Sequence, residues 1–160
     1  MNLGKIGTAM ITPFKKDGTI NYEELERIIN YLIENGTDAI IACGTTSENP
    51  TMSTEEKIEV VRFTVEKVAG RVPVIAGTGD NETAYSIMMT QKAEENGADG
   101  IMLVTPYYNK PNQRGMYAHF ETIAKQTKLP VMLYNVPGRT GANILAETTI
   151  ALSRDVENIT

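Results

Sequence analysis

Hydroxyl, phenol and guanidinium side chains recur in this sequence where an apolar run gives way to a loop. Thr45 and Thr46 lie in segment 44–48, Gly-Thr-Thr-Ser-Glu, where two hydroxyls and the N–H groups of a turn could hold a small carboxylate. Tyr134 ends another apolar run and could relay protons or fill a core. Arg139 follows a Pro-Gly pair, so its guanidinium is either a carboxylate clamp or a solvated surface charge. Each residue alone is as compatible with a structural role as with chemistry.

Three further features carry residues of unusual type. Tyr107 and Tyr108 are adjacent and lie between two prolines, so they are rigidly presented either for proton relay or for packing, as at a subunit interface. Segment 77–79, Gly-Thr-Gly, could cradle a phosphate, but this pattern is weak and favours a tight turn with Asn81 capping the next helix. His119 lies in a predicted helix with no matching metal ligand nearby, which favours a structural or surface role.

The elements that must position these residues alternate regularly between strand and helix. Apolar runs rich in Val and Ile predict strands, and longer segments of helical period predict helices. Predicted strands cover 6–12, 39–43, 72–76, 100–104 and 131–134, and predicted helices cover 22–35, 54–69, 83–96, 115–127 and 146–153. Residues 158–160 predict the start of a sixth strand. The strand–helix unit repeats about every 30 residues, which indicates a parallel sheet.

The location of the polar residues distinguishes two kinds of parallel sheet. An open doubly wound sheet gathers function at one switch point, whereas a barrel gathers it at the carboxyl ends of many strands. Here every predicted strand ends in hydroxyl, glycine, proline or tyrosine residues. We therefore predict an α/β fold, a (βα)8 TIM barrel, of which about five βα units and the start of strand six lie in residues 1–160. No composition shift or linker divides the chain, so 1–160 is predicted to be part of one domain.

Composition and charge exclude several classes of protein. The formal net charge of −5 disfavours a general nucleic-acid surface, and no apolar run approaches the roughly 20 residues of a membrane helix. Residues 1–10 do not have the pattern of a signal peptide. Cys43 is the only cysteine, so neither a disulfide framework nor a cysteine metal site is expected. A reducing cytoplasm fits best.

Four segments, in this order and spacing, carry a family resemblance across the whole chain. They are Gly-Thr-Thr-Ser-Glu at 44–48, Val-Ile-Ala-Gly-Thr-Gly at 74–79, Thr-Pro-Tyr-Tyr-Asn-Lys-Pro at 105–111 and Tyr-Asn-Val-Pro-Gly-Arg-Thr at 134–140. Together they closely resemble the dihydrodipicolinate synthase family. The nearest rival is N-acetylneuraminate lyase, another pyruvate-dependent aldolase, which usually has Gly-Ser-[Ser or Thr]-Gly-Glu and lacks Tyr-Tyr-Asn-Lys-Pro. Ser47 and Asn49 depart from the usual small residues and leave the shape of that turn less certain.

The resemblance implies a class I aldolase-type reaction. Pyruvate would form a Schiff base with a lysine and, as an enamine, attack L-aspartate 4-semialdehyde, on the route to diaminopimelate and lysine. Tyr134 would shuttle protons, and Thr45 would link it to Tyr108, which in this family is lent by a neighbouring subunit. Thr46 would hold the carboxylate of pyruvate, and Arg139 that of the aldehyde. A homo-oligomer, dimer or tetramer, is implied, with no cofactor and no metal.

The Schiff-base lysine of the family lies on the sixth strand, and the resemblance places it about three residues after Thr160. The nine lysines present are predicted to lie in solvated positions, in loops, on helices or at the wrong end of a strand. Residues 1–160 alone are therefore expected to be inactive. Two alternatives stay open: a non-catalytic fragment, and a doubly wound domain that binds a phosphorylated ligand.

Three positions bear on regulation. In lysine-inhibited members of the family, histidines and a glutamate stand where this chain has Thr54, Lys57 and Tyr85. A cationic ligand would lose a carboxylate partner at Tyr85 and meet a like charge at Lys57. We therefore predict that the enzyme is insensitive to lysine.

Overall fold

Five parallel strands form one sheet in a computed structural model that describes residues 4–160. The strands are β1 (Gly7–Ala9), β2 (Ala39–Ala42), β3 (Val74–Gly77), β4 (Gly100–Val104) and β5 (Val131–Tyr134). The helices are α1 (Tyr22–Glu34), α2 (Thr54–Val68), α3 (Thr83–Glu95), α4 (Gln113–Ala124), α5 (Pro137–Thr140) and α6 (Ala146–Asp155). Residues 1–3 of the predicted domain lie outside the described range.

Each strand pairs with the next strand in the sequence, and all four pairings are parallel. This order never reverses, whereas the order of a doubly wound sheet does, so the sheet is part of a barrel wall, as predicted. The predicted start of strand six is also confirmed. Ile159 forms a parallel bridge with Val131, and the N–H of Val131 donates to the carbonyl of Asn158 at 2.7 Å.

Burial follows from this arrangement. All four residues of β3 are buried, as expected for a strand covered on both faces. The helices cover the sheet through apolar stripes of helical period, which α1 builds with Leu25 and Ile29. No helix within residues 4–160 is long and apolar enough to cross a membrane.

The helix starts show which capping predictions were right. The spacing of Ser53 and Glu56 is that of a capping box, and α2 has one: the side chain of Ser53 accepts from Glu56 N–H at 3.2 Å, and the Glu56 carboxylate accepts from Ser53 N–H at 2.8 Å. The predicted Asn81 cap of α3 is wrong. The N-cap is Glu82, which makes no side-chain capping bond, and Asp80 Oδ1 accepts its N–H at 3.1 Å. Asn81 therefore lies one residue before the N-cap, and no side-chain capping bond is made at the start of α3.

Element boundaries differ from the predictions at several points. β1 is shorter than predicted, and α4 begins at Gln113 rather than Gly115 because the Asn112 side chain caps it by accepting Gly115 N–H at 3.0 Å. The short helix α5 was not predicted, although Pro137 at its first position is a typical start signal. Two 3₁₀ turns, Thr45–Ser47 and Asn49–Thr51, were also missed.

Candidate active site

A cavity of about 270 Å³ opens at the carboxyl ends of the strands. Its walls come from residues that end or follow β2, β3, β4 and β5, together with Lys57 of α2. They are Cys43, Gly44, Thr45, Asn49, Pro50, Lys57, Gly77, Gly79, Asp80, Met102, Val104, Tyr107, Tyr134, Val136, Arg139 and Thr140. The expectation that strand ends bring the polar residues together is therefore confirmed for Thr45, Tyr134 and Arg139.

The glycines after β3 serve close packing between strands. A Cβ on Gly77 would lie 2.4 Å from the carbonyl oxygen of Cys43, and one on Gly79 would lie 2.3 Å from the nitrogen of Val104. The N–H groups of Thr78 and Gly79 both donate to the carbonyl of Met102, at 3.1 and 3.3 Å. These N–H groups are thus already used within the sheet, which removes the basis for a phosphate cradle here.

Ser47, whose side chain is larger than those usual at this position of the family, fixes the turn after β2. Ser47 is buried, and its hydroxyl donates to the carbonyl of Met10 at 2.6 Å, joining the turn to the end of β1. Cys43 and Glu48 flank the turn with φ of 55° and 57°, in the left-handed region that side chains rarely adopt. Burial raises the pKa of the Cys43 thiol to about 12, so this cysteine is an inert wall of the cavity.

The end of β5 is held by β4. The carbonyl of Tyr134 accepts from both the N–H and the hydroxyl of Thr105, at 2.9 and 3.1 Å. Tyr134 is half-buried against the cavity, and the exposed Arg139 reaches the same cavity from α5. Thr46 is exposed and does not line the cavity.

The loop after β4 separates its two tyrosines. The hydroxyl of Tyr107 donates to Asp80 Oδ2 at 2.8 Å, and the Asn109 side chain donates to the carbonyl of Asn81 at 3.2 Å. Burial, followed by the Asp80 contact, raises the pKa of Tyr107 to about 12. Tyr108 points away from this anchorage, is 87% exposed, and has φ of 64°. Within one chain, therefore, Tyr108 does not join Thr45 and Tyr134 at the cavity.

The expectation that every lysine is solvated is wrong for Lys57. Its side chain lines the cavity and is only 8% exposed, with Nζ 3.3 Å from the Tyr85 hydroxyl. It makes no ion pair within residues 4–160. The sequence did contain the signal, because Lys57 precedes Val60 and Val61 by three and four residues and so lies on the buried stripe of α2.

Two other polar residues are part of the interior. His119 is buried, its Nδ1 lies 2.8 Å from the Thr83 hydroxyl, and burial lowers its pKa to about 4. Its structural role is thereby confirmed and its surface alternative is wrong. Asn49 lines the cavity, and its buried Oδ1 has no hydrogen-bond partner in the part of the chain that the structure describes.

Known proteins are similar to this chain in sequence. Residues 2–160 match the dihydrodipicolinate synthetase family. The 4-hydroxy-tetrahydrodipicolinate synthases of Bacillus subtilis and Bacillus velezensis are 59% and 60% identical over 159 residues, which is 99% of this chain and 55% of each relative. The chain thus spans about half the length of the curated relatives it matches.

Solved structures agree in fold as well as sequence. Dihydrodipicolinate synthase DapA-2 from Bacillus anthracis has a TM-score of 0.96 at 55% identity, over 98% of this chain and 53% of that one. The synthase from Cyanidioschyzon merolae, solved with lysine bound, has a TM-score of 0.96 at 47% identity, over 98% and 54%. A variant described as the first monomeric dihydrodipicolinate synthase has a TM-score of 0.93 at 45% identity, over 96% and 51%. The chain belongs to the dihydrodipicolinate synthetase family.

Proposed function

We propose that the whole protein condenses pyruvate with L-aspartate 4-semialdehyde through a lysine Schiff base, in lysine and diaminopimelate biosynthesis. Family membership together with one observation supports this function: Thr45, Tyr134 and Arg139 line one cavity at the carboxyl ends of the strands. The lysine amine condenses with the keto group of pyruvate with loss of water to give an imine. Removal of a proton from the methyl carbon converts the imine to an enamine, whose carbon attacks the aldehyde carbon. In this proposal residues 1–160 are part of a single barrel domain. The protein works in the reducing cytoplasm and needs no cofactor.

Tyr134 shuttles protons in this proposal. A phenol relays protons best through a hydroxyl partner, and in the proposal this partner is Thr45, which lines the same cavity. The strain-bearing, outward position of Tyr108 supports its donation to a neighbouring subunit. The proposal therefore requires at least a dimer, and each cavity is completed by Tyr108 of the other copy.

Two residues hold the carboxylates of the substrates. Thr46 does not line the cavity but follows Thr45, which does, and in the proposal it binds the carboxylate of pyruvate from there. Its hydroxyl and its N–H are the donors, and the N–H lies in the first turn of a 3₁₀ helix, where N–H groups have no acceptor within the helix. Arg139 binds the carboxylate of the aldehyde. Its guanidinium is free for this task, because it makes no ion pair within residues 4–160.

The nucleophile is assigned to a lysine on strand six. Ile159 already pairs beside β5, the strand that carries Tyr134, so residues that follow on this strand run toward the same end of the barrel. A lysine there would lie inside the barrel, where burial and neighbouring groups can tune an amine.

The test is a substrate comparison on the complete protein. We expect it to consume pyruvate and L-aspartate 4-semialdehyde together and to leave N-acetylneuraminate uncleaved. Cleavage of N-acetylneuraminate without condensation of the semialdehyde would assign the protein to the rival lyase. Inactivity toward both substrate sets in a folded protein would favour the non-catalytic alternative.

A further inference from the structure

Two asparagine side chains close the segment that carries Arg139. Nδ2 of Asn135 donates to Oδ1 of Asn143 at 2.8 Å, and Oδ1 of Asn135 accepts from the N–H of Ile144 at 3.3 Å. The chain therefore leaves β5, turns through α5 and returns to its starting point. We call residues 135–144 the arginine loop.

The arginine loop is stiff between these ends. Arg139 N–H donates to the carbonyl of Val136 at 2.9 Å, and Gly141 N–H donates to that of Pro137 at 2.9 Å. The buried hydroxyl of Thr140 donates to the carbonyl of Ala142 at 2.9 Å. A segment bonded in this way moves as one body, so its attachments set the position of Arg139. They are the asparagine pair and the buried side chains of Ala142 and Ile144.

Asn143 is itself a fixed point. Nε2 of Gln113, the first residue of α4, donates to the carbonyl of Asn143 at 2.8 Å. Oε1 of the same glutamine accepts from Leu145 N–H at 3.0 Å and from the Thr148 hydroxyl at 2.7 Å. The far end of the arginine loop is thus tied to α4 and α6, and the side chain of Asn135 connects β5 to it.

Tyr134 is held by other contacts. Its carbonyl accepts from the backbone N–H of Thr105 at 2.9 Å, a bond that involves neither asparagine side chain. The Thr105 hydroxyl contacts both this carbonyl, at 3.1 Å, and Oδ1 of Asn135, at 3.3 Å, and an aspartate at 135 still offers that hydroxyl an acceptor. A change at the asparagine pair is therefore expected to displace Arg139 and to leave Tyr134 in place.

We propose that Asn135 and Asn143 are positioning residues that hold Arg139 for the carboxylate of the aldehyde substrate and thereby set specificity for an anionic acceptor. This inference rests on the proposed function, because it takes the role of Arg139 from there. Neither asparagine touches the reacting atoms. Misplacing a substrate-binding group by about 1 Å costs on the order of 100-fold in rate, so a single side-chain bridge is sufficient to matter.

The double variant N135D/N143D tests the proposal on the complete protein. Each single variant keeps a hydrogen bond, because an amide can rotate to donate to a carboxylate that replaces its partner. The double variant places two carboxylates against each other, and their repulsion opens the loop. The control is N21D/N30D on α1, which adds the same charge. Asp at 21 retains the α1 cap, and Asp at 30 retains the contact with Arg71.

We expect kcat/KM for aspartate semialdehyde to fall about 100-fold in N135D/N143D at neutral pH, and less than about threefold in each single variant and in the control. Formation of the pyruvate adduct, trapped with borohydride, should stay at the parent rate because Tyr134 is unmoved. Activity relative to the parent should recover below about pH 5, where one of the paired carboxyl groups is protonated.

Amide hydrogen exchange of residues 136–142 supplies a measurement that needs no activity, and it should accelerate only in the double variant. Unchanged exchange and unchanged kcat/KM would overturn the proposal. An equal fall in adduct formation and in condensation would also overturn it, since that marks general structural damage. If exchange accelerates in the double variant but the parent protein does not condense the substrates, the asparagine pair still anchors the arginine loop and the proposed function is wrong.

Discussion

The hydroxyl of Tyr107 donates a 2.8 Å hydrogen bond to Oδ2 of Asp80, joining the loop after β4 to the loop after β3. This bond sets the direction of the neighbouring residue, because Tyr107 turns inward and Tyr108 is left outside with a positive φ. In the proposed oligomer, the anchored Tyr107 would keep the loop in place while the exposed Tyr108 reaches the neighbouring subunit.

Tyr107→Phe should weaken this anchor. The variant keeps the ring and removes one hydrogen bond to a carboxylate, so we expect the free energy of unfolding in urea to fall by about 1 to 2 kcal/mol. Tyr31→Phe, at a 63% exposed tyrosine on α1, should change it by less than about 0.5 kcal/mol. Equal stabilities of the two variants would show that the Asp80 contact contributes nothing.

Gly79→Ala should be severely destabilising. Its Cβ would lie 2.3 Å from the nitrogen of Val104, which is backbone of the adjacent strand and cannot move aside. We expect a loss of about 3 kcal/mol or more, or an insoluble protein. Gly138→Ala is the matched control, since its Cβ meets nothing within 4 Å, and it should be neutral or slightly stabilising. Wild-type thermal stability of Gly79→Ala would refute close packing as the reason for this glycine.

The sequence was sufficient for the strand order and for the cavity at the strand ends. Periodicity and the polar residues after each strand are local signals, and they are sufficient to predict Thr45, Tyr134 and Arg139 as site residues. Side-chain contacts between segments distant in the sequence could not be predicted from it. Nothing near Asp80 in the sequence indicates that it accepts from a tyrosine 27 residues later.

Lys57 shows a different kind of error. Its position on a helix predicts a solvated side chain, but its spacing from Val60 places it on the buried stripe of α2. For Lys57, helical periodicity predicts burial correctly and the residue type does not. Neither periodicity nor residue type predicts that Tyr108 points outward, because its direction depends on a left-handed φ at a non-glycine residue.

Insensitivity to lysine stays a prediction, and the structure strengthens its basis. The ammonium group of Lys57 is buried 3.3 Å from the hydroxyl of Tyr85, so a cationic ligand would meet a fixed like charge and no carboxylate at that position. We expect the complete enzyme to retain its activity in millimolar lysine. Half-inhibition at sub-millimolar lysine would contradict the prediction.

Tyr134→Phe should separate proton relay from packing. The ring keeps its place beside the cavity and Thr105 still holds the backbone, so only the hydroxyl is lost. We expect kcat of the complete enzyme to fall about 100-fold or more, with a thermal transition close to that of the parent. Turnover near the parent value would return Tyr134 to a purely structural role.

The Schiff base itself can be tested on this chain and on a longer polypeptide that continues through strand six. An ordinary lysine, with a pKa of about 10.4, is deprotonated at neutral pH only at the level of roughly one part in a thousand. Eight of the nine lysines agree with the expectation of solvated positions or surface ion pairs, and Lys57 is the buried exception. Its ammonium group faces Tyr85, which lies outside the set of residues assigned to the relay.

The measurement is incubation with pyruvate, reduction with borohydride and intact-mass analysis of both polypeptides. We predict no specific adduct on residues 1–160 and one reduced pyruvate on the longer polypeptide, mapped to a lysine of strand six. Lys57→Met in the longer polypeptide should leave that adduct unchanged. A stoichiometric adduct on Lys57, or on any other single lysine of residues 1–160, would contradict the account.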